Sequence, residues 1–172
     1  MTVNWSHFEK EVERVNAYYR RKGIGTVEKI PNGSMTKYVN GVPRTVLTHK
    51  TGCDFVGHIK GVPVAFDCKS TSATSMPHKV GKADFVKKHQ VKFLQDFKHS
   101  GNSKSLGFLL IRFNKSKATY FVDIDDYVEM RTSQIEKGIK SIPERMFAGM
   151  EVERQGTLLD YAKNIESELE EE

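Results

Sequence analysis

Residues 54–69 of the chain read DFVGHIKGVPVAFDCK, and this stretch predicts a β-hairpin. The segments 53–59 and 62–69 alternate in polarity, as half-buried strands do. Between them, Lys60-Gly61 supplies a glycine where a tight hairpin turn needs a positive φ angle. A turn centred on this pair fixes which residues of the two strands lie opposite each other.

The predicted register brings charged side chains together on one face of the hairpin. Phe55 falls opposite Phe66, and Cys53 falls opposite Cys68, on a face of apolar or small residues. On the other face, Asp54 falls opposite Asp67, with Lys69 two residues further along the second strand and on the same side. Asp54, Asp67 and Lys69 are therefore predicted to converge.

Two carboxylates that face each other across a strand pair need a counter-charge to stay ionised. Ligation by carboxylate oxygens alone suits Mg²⁺ or Mn²⁺, which keep several waters and also accept phosphate oxygens. We therefore expect Asp54 and Asp67 to bind a divalent metal, and Lys69 to position a water or neutralise charge developing on phosphorus. This chemistry is suited to phosphodiester hydrolysis.

A purely structural interpretation of these three residues is also open. Asp54 could close a turn, while Asp67 and Lys69 could be solvated side chains on an exposed strand. For so short a pattern in an arbitrary sequence, chance matches are frequent, and the structural interpretation would be favoured. The wider sequence context changes this balance.

Several segments in a fixed order, spread over most of the chain, resemble those of one family. They are Phe8-Glu9-Lys10-Glu11, Asn16-Ala17-Tyr18-Tyr19, Gly23-Ile24, Asp54 to Gly61, Phe66-Asp67-Cys68-Lys69, Ser75-Met76-Pro77, His89-Gln90 and Leu159-Asp160-Tyr161. The chain resembles the PD-(D/E)xK nucleases and, within them, the RecU-type Holliday junction resolvases of Gram-positive bacteria and their phages. The resemblance implies a homodimer that binds four-way DNA junctions and nicks two strands symmetrically with Mg²⁺ or Mn²⁺.

The chain departs from this family's pattern at three places. Asp67 stands where family members usually carry Glu, and Gly52-Cys53 precedes Asp54 where Thr is common. The segment between Pro31 and Lys50 is also shorter than the family's insertion, a stalk that enters the centre of the junction. These departures leave nuclease chemistry in place and bear mainly on junction specificity.

Two predicted helices supply supporting site residues. Apolar residues at helical spacing predict an amphipathic helix over residues 4–21, with Glu11 at the margin of its buried stripe. Helix-borne acids in the resembling nucleases can join the metal site, so Glu11 is assigned a supporting metal role; an exposed glutamate is the alternative. A helix over residues 84–100 carries Gln90 on its inward stripe, where the resembling nucleases place a glutamine beside the catalytic centre.

Two groups of mostly basic residues are predicted to contact DNA. Turn signals delimit a short protruding hairpin or stalk within residues 31–50, although a plain basic loop is equally consistent. Phosphate or base contacts are expected from one group in this segment and from a second group after the hairpin. The first comprises Lys37, Tyr38, Arg44 and Lys50, and the second comprises Lys79, Lys82, Lys87 and Lys88.

The order helix, strands, helix, strands predicts an α/β fold, with further strands at residues 106–113 and 118–124. This order gives a central mixed β-sheet flanked by helices, the restriction-endonuclease-like sandwich. Residues 131–156 are predicted as loops with a short helix, and residues 158–165 as a helix. A single nuclease domain is expected over residues 1–165, followed by an acidic tail at 166–172.

Composition agrees with a DNA-binding role without establishing it. The formal net charge is +5 and the pI is about 9.1, which favours an anionic partner but also serves solubility. No apolar run approaches the length of a membrane span, so we expect no membrane partner and a cytoplasmic location. The two cysteines are expected to be reduced core residues.

These observations favour a magnesium-dependent, structure-selective DNA endonuclease, with a Holliday junction resolvase as the leading hypothesis. One alternative keeps the nuclease chemistry but directs it at other branched or duplex DNA. Another is a non-catalytic recombination protein that binds DNA junctions, in which the basic surface matters and the acids do not.

Overall fold

The computed structural model describes residues 5–47, 51–101 and 104–170. The helices are α1 Trp5–Arg21, α2 Lys88–His99, α3 Ile124–Glu136 and α4 Ala162–Glu170, with a 3₁₀ turn at Glu144–Phe147. The strands are β1 Gly25–Lys29, β2 Ser34–Val39, β3 Val42–Leu47, β4 Phe55–Ile59, β5 Val62–Thr71, β6 Ser75–Pro77, β7 Lys79–Val80, β8 Ala83–Asp84, β9 Leu106–Phe113, β10 Ala118–Asp123, β11 Ser141–Pro143, β12 Arg154–Gln155 and β13 Leu158–Leu159.

A five-stranded sheet in the order β1-β4-β5-β9-β10 forms the centre of the molecule. Strands β5 and β9 are parallel and the other neighbours are antiparallel, so the sheet is mixed. Strand β5 is buried along nearly its whole length, including its polar residues Asp67, Lys69, Ser70 and Thr71.

The β4–β5 hairpin has the predicted register. Phe55 pairs with Phe66, and Lys60 and Gly61 have φ angles of 50° and 80°, both positive as the tight turn requires. The predicted pairing of Cys53 with Cys68 is wrong, because the ladder ends at Phe55. The Cys53 thiol instead donates to the Phe55 carbonyl at 3.3 Å, and both cysteines are buried and free.

Each face of the sheet is covered by helices, which confirms the predicted α/β sandwich with a central mixed sheet. On one face, α1 and α4 pack on Phe66 and Phe108. On the other face, α2 and α3 pack on Leu109 and Ile111. Each large apolar side chain buried in these layers contributes about 2 kcal/mol to folding.

Helix α2 lies unusually close to the sheet at one glycine. A Cβ atom on Gly107 of β9 would lie 2.2 Å from the backbone oxygen of Leu94 in α2. Only glycine permits this approach, because the clash would be with backbone atoms that cannot rotate away. Gly107 therefore fixes how near α2, and every side chain it carries, stands to β5 and β9.

Buried polar contacts tie α1 to residues near the far end of the chain. The Tyr19 hydroxyl donates to Asp160 Oδ1 at 2.8 Å and accepts from the Ala162 backbone amide at 3.0 Å. The Tyr161 hydroxyl donates to Asn16 Oδ1 at 2.6 Å. The conspicuous Leu159-Asp160-Tyr161 segment is thus explained by packing against α1.

Strands β2 and β3 form a separate hairpin outside the central sheet, as predicted from the turn signals. Asn40 and Gly41 at its tip have φ angles of 52° and 78°. Every residue from 35 to 46 is exposed, so neither face of this hairpin is packed against the described body of the protein.

Several predicted helix boundaries differ from the structure. Helix α2 begins at Lys88 rather than at residue 84, because Ala83–Asp84 pairs with Lys79–Val80 as a small hairpin. Helix α3 extends to residue 136, into a region predicted as loop. Residues 158–159 form a strand, and α4 then runs through residue 170, so the acidic segment is helical beyond the predicted boundary at 165. None of the described helices is long and apolar enough to cross a membrane.

Candidate active site

Strand β5 holds Asp67 and Lys69 on the face of the sheet that is covered by α2. Their neighbours on the parallel strand β9 are the fully buried Leu109 and Ile111. Asp67 is 0% exposed and Lys69 is 8% exposed. The interpretation of these residues as solvated side chains on an exposed strand is therefore wrong.

Gln90 in the first turn of α2 joins both charged groups. Its amide nitrogen donates to Asp67 Oδ1 at 2.8 Å, and its amide oxygen accepts from Lys69 Nζ at 3.3 Å. The same oxygen accepts from the backbone amide of Lys87 at 3.1 Å, which fixes the orientation of the glutamine. Lys69 Nζ also forms an ion pair with Asp67 Oδ2.

The side chain of Asp54, the residue just before β4, lies at the same place. Its Oδ2 accepts from the Cys68 backbone amide at 2.9 Å, and its own carbonyl accepts from the Ile30 amide at 2.8 Å. The Asp54 and Asp67 carboxyl groups lie within hydrogen-bonding reach of each other. Four of the predicted site residues, Asp54, Asp67, Lys69 and Gln90, are thus brought together.

Burial changes the protonation of the two carboxyl groups. Loss of solvent, and then the charge of Asp67, raise the pKa of Asp54 to about 6. Loss of solvent also raises the pKa of Asp67, although the neighbouring Lys69 opposes that shift. Two carboxylates held this close in a buried site favour sharing a proton or acquiring a further positive charge.

The donor set fits a hard divalent cation that retains water. Among the residues that the structure describes, no group of three or more His, Cys, Asp or Glu side chains is arranged to hold a metal ion. Two adjacent carboxylates suffice for Mg²⁺ or Mn²⁺, because such ions complete their coordination with water and substrate oxygens. Asp54 and Asp67 are the residues that could bind one.

Among the described residues, no contact brings Glu11 to this cluster. Its carboxylate binds Arg112 at 2.9 Å and Arg154 at 2.7 Å. Burial raises the pKa of Glu11, but the two guanidinium groups outweigh that effect and lower it overall. The metal role of Glu11 stays a prediction, and its contacts favour a structural role that joins α1 to β9 and β12.

Sequence reasoning missed Glu9, the acid of α1 whose charge reaches the site. The Glu9 carboxylate is close enough to raise the pKa of Asp67. It is paired at 2.8 Å with Lys29, at the end of β1, which also binds Glu13. Periodicity along α1 could not show which of Glu9 and Glu11 lies nearer the site, because both flank its apolar stripe. The structure distinguishes them, because Glu9 pairs with Lys29 of β1.

The predicted DNA-contact residues form two exposed surfaces. On the β2–β3 hairpin, Lys37 lies directly across from Arg44, and Tyr38 is 74% exposed. Two like charges in direct cross-strand register are destabilising unless an anion lies nearby. The Lys50 prediction lies outside the described residues.

The second group surrounds the start of α2, and all four of its members are exposed: Lys79, Lys82, Lys87 and Lys88. Lys87 caps the helix and Lys88 is its first residue, so both lie within three positions of Gln90. Lys87 and Lys88 are thus close in the chain to the glutamine that binds Asp67, and DNA contact by the four lysines stays a prediction.

Comparison with known proteins gives one family match and several relatives. Residues 5–167 match the family model described as RecU, recombination protein U. The chain is 27% identical over 164 residues to the Holliday junction resolvase RecU of Pediococcus pentosaceus, a match that covers 91% of this chain and 75% of that protein. It is 28% identical over 157 residues to the resolvase of the same name from Geobacillus sp. strain WCH70, covering 86% and 71% of the two chains.

A solved structure is also similar. Hjc, a Holliday junction resolvase from the archaeal hyperthermophile Archaeoglobus fulgidus, is 12% identical with a TM-score of 0.46, over 89% of this chain and 96% of that one.

Proposed function

The chain belongs to the RecU (recombination protein U) family, and on that premise we propose that it is a metal-dependent, structure-selective DNA endonuclease that resolves Holliday junctions. The observation that carries the proposal is the buried cluster of Asp54, Asp67, Lys69 and Gln90. Charged groups with perturbed pKa values, buried at the edge of a basic surface, are costly for folding and typical of catalytic sites.

Asp54 and Asp67 would bind the metal in this proposal. When bound, Mg²⁺ or Mn²⁺ would lower the pKa of a coordinated water and neutralise charge on the phosphate. Because protons compete for the two carboxylates, metal affinity should rise as the pH increases through about 6.

Lys69 and Gln90 would organise the reacting groups. Lys69 Nζ would hold the attacking water or stabilise the charge that develops on phosphorus as the water oxygen bonds to it and a P–O ester bond breaks. Gln90 would keep the lysine and Asp67 in a fixed relation, since it bonds to both and is itself held by the Lys87 amide.

The exposed basic residues would bind the substrate. On the β2–β3 hairpin, Lys37 and Arg44 would contact phosphates, and Tyr38 could stack on an unpaired base at the branch point. The lysines around the start of α2 would follow the backbone that leads to the scissile phosphate. These contacts would supply affinity and shape selectivity, and the buried cluster would supply the chemistry.

Paired cuts across a junction call for two active sites, so we infer that the chain works as a homodimer. Each chain carries one acidic cluster, and a two-fold protein matches a two-fold substrate. Heterodimers of wild-type and Asp54→Asn chains should nick one strand of the junction and leave it unresolved, because the second nick is missing. Sedimentation at micromolar concentration checks the dimer directly.

Cleavage of a synthetic mobile four-way junction tests the proposal. Flap, duplex and single-strand substrates serve as controls, each with Mg²⁺, Mn²⁺ or chelator, for wild type and Asp54→Asn. We expect paired symmetric nicks on the junction alone, dependent on both metal and Asp54.

Other outcomes are equally informative. Equal cutting of every substrate would support the nuclease function and contradict the junction specificity. Tight junction binding with no cleavage in any divalent metal would favour a non-catalytic junction-binding protein.

A further inference from the structure

A basic groove runs beside the start of α2, between the β7–β8 hairpin and the segment that joins α3 to β11. Its volume is about 980 Å³. Lys79 and Lys82 lie on one wall and Arg131 and Lys140 lie on the other, and Lys88, the first residue of α2, also lines the groove. Arg131 and Lys140 were not among the residues predicted to contact DNA.

The charge of the basic groove is largely uncompensated. Its lining holds five cationic side chains and one carboxylate, that of Asp84, which is paired with Arg131 at 3.2 Å. Within the described part of the chain, no ion pair engages Lys79, Lys82, Lys88 or Lys140. Like charges gathered around one groove repel each other, so the groove attracts a polyanion.

Buried contacts fix the two walls of the basic groove relative to each other. His78 Nε2 bonds to the Ile139 carbonyl at 3.1 Å, and the His78 amide donates to the Lys140 carbonyl at 3.1 Å. Burial and the charge of Arg131 lower the pKa of His78, whose Nδ1 is buried and has no hydrogen-bond partner among the residues that the structure describes. His78 is therefore neutral near pH 7, and the charge of the groove comes from lysine and arginine alone.

Aliphatic side chains stand among these cations. Ile135 and Ile139, on the same wall as Arg131 and Lys140, are 47% and 42% exposed. A lone phosphate ion would use only the charges. A nucleic-acid backbone offers phosphates to the lysines and sugar carbons to the aliphatic groups, so it matches both features of the groove.

The basic groove and the acidic cluster share the first turn of α2. Lys88, which lines the groove, lies two residues before Gln90, whose amide binds Asp67. We propose that the basic groove holds the duplex arm of DNA adjacent to the scissile phosphate, with Lys140 and Arg131 contacting the backbone from the wall opposite Lys79 and Lys82. This inference rests on the proposed function and extends it to the path of one arm.

Binding of Lys140→Gln to a four-way junction tests the inference, and measurement in chelator prevents cleavage. The matched control is Lys22→Gln, which removes the same charge at the far end of α1, near the β4–β5 turn. We expect Lys140→Gln to weaken binding about threefold and to reduce the slope of log affinity against log salt by about 1, and Lys22→Gln to change neither. Equal affinities and slopes for the two variants would overturn the proposal.

A backbone-cleaving probe tests the path itself. Cys53 and Cys68 are 0% and 3% exposed, so a thiol-directed iron–EDTA reagent should label Lys140→Cys selectively. We expect the labelled protein to cut one duplex arm within a few nucleotides of the branch point, and labelled Lys22→Cys to leave the arms intact. Uncut arms with bound Lys140→Cys would contradict the assigned path.

Failure of the inference is distinguishable from failure of the proposed function, because neither assay requires catalysis. If the wild type never cuts DNA but Lys140→Gln binds junctions more weakly, the result supports the groove as a DNA-binding site and contradicts the nuclease function. If the wild type cuts junctions normally but Lys140→Gln binds as tightly as wild type, the result supports the nuclease function and contradicts the groove as a DNA-binding site.

Discussion

The β5 strand and the β2–β3 hairpin are built in opposite ways, although both carry charged residues assigned to one function. On β5, Asp67 is 0% exposed and is bonded to Lys69 and Gln90. On the hairpin, Tyr38 is 74% exposed and no residue from 35 to 46 is buried. A reacting centre needs fixed distances and a dry environment, whereas a contact to a bent, variable DNA surface needs exposed side chains that can extend to it.

The two regions also differ in their effect on folding stability. The acidic cluster places two carboxyl groups with raised pKa values in the core, which opposes folding at neutral pH. The hairpin buries almost nothing, so its sequence is free of packing constraints. Substitutions in the two regions should therefore change different measurable quantities.

The largest effect is expected from Asp67→Asn. Loss of this carboxylate should reduce junction cleavage at least about a thousandfold, because both the metal ligand and the partner of Lys69 are lost. Junction affinity in chelator should stay within about threefold of wild type. The measurements are single-turnover cleavage and a binding titration.

Asp96→Asn is a suitable control, since Asp96 is an exposed residue of α2 paired only with Lys92 among the described contacts. A normal cleavage rate for Asp67→Asn would show that β5 does not carry the catalytic residues, and would contradict the division of roles between the two regions.

Asp54→Asn should stabilise the metal-free protein by about 3 kcal/mol above pH 6. The folded pKa of Asp54 is about 6 against an ordinary 3.8, so the folded state binds the proton more tightly than the unfolded state. Wild-type stability should therefore fall as the pH rises from about 4 to 6 and remain at the lower value above that. Asn carries no charge to desolvate, and the difference between the proteins should vanish below about pH 4.

Urea unfolding across this pH range, in chelator, measures the effect. Saturating Mg²⁺ should reduce or reverse the advantage of the variant, because a metal bound to the folded wild type stabilises it by mass action. A variant less stable than wild type at pH 8 in chelator would show that the Asp54 carboxylate supports the fold rather than opposing it.

The double variant Lys37→Ala/Arg44→Ala should show the converse behaviour. Removing both cations from the hairpin should weaken junction binding about tenfold and lower the salt slope by about 2. Unfolding free energy should change by less than about 0.5 kcal/mol, because both side chains are exposed. Cleavage of saturating junction should proceed at the wild-type rate; a lower rate at saturation would show that the hairpin also shapes the active site.

Tyr19→Phe should have the smallest effect, a loss of about 1 kcal/mol in stability. The variant loses the bond to Asp160 and leaves the buried Ala162 amide without its acceptor. Tyr38→Phe, the matched change on the exposed hairpin, should leave the melting temperature unchanged. Equal melting temperatures for the two variants would show that the α1 contacts contribute nothing beyond packing.

The sequence was sufficient where structure is set by near neighbours. Alternation and the Lys60-Gly61 turn give the β4–β5 register, and apolar content gives β9 and β10 within a residue or two. This register is also what predicted that Asp54, Asp67 and Lys69 would meet.

The sequence was insufficient where pairing between distant residues decides the outcome. The start of α2 is displaced because Ala83–Asp84 pairs with another strand, and Cys53 lies outside the β4–β5 ladder, which ends at Phe55. The distinction between Glu9 and Glu11 depends on Lys29 and on Arg112 and Arg154, which periodicity along α1 cannot reveal.

The contacts between α1 and the segment around Asp160 have a consequence for synthesis of the protein on the ribosome. Tyr19 and Asn16 find their acceptor and donor 141 and 145 residues later in the chain. The acidic residues are translated long before those partners, so a growing chain carries Asp54 and Asp67 without the helix layer that completes the opposite face of the sheet. Closing so long a loop is slow, and the layer of α1 and α4 can therefore be completed only after residues 160–162 have left the exit tunnel.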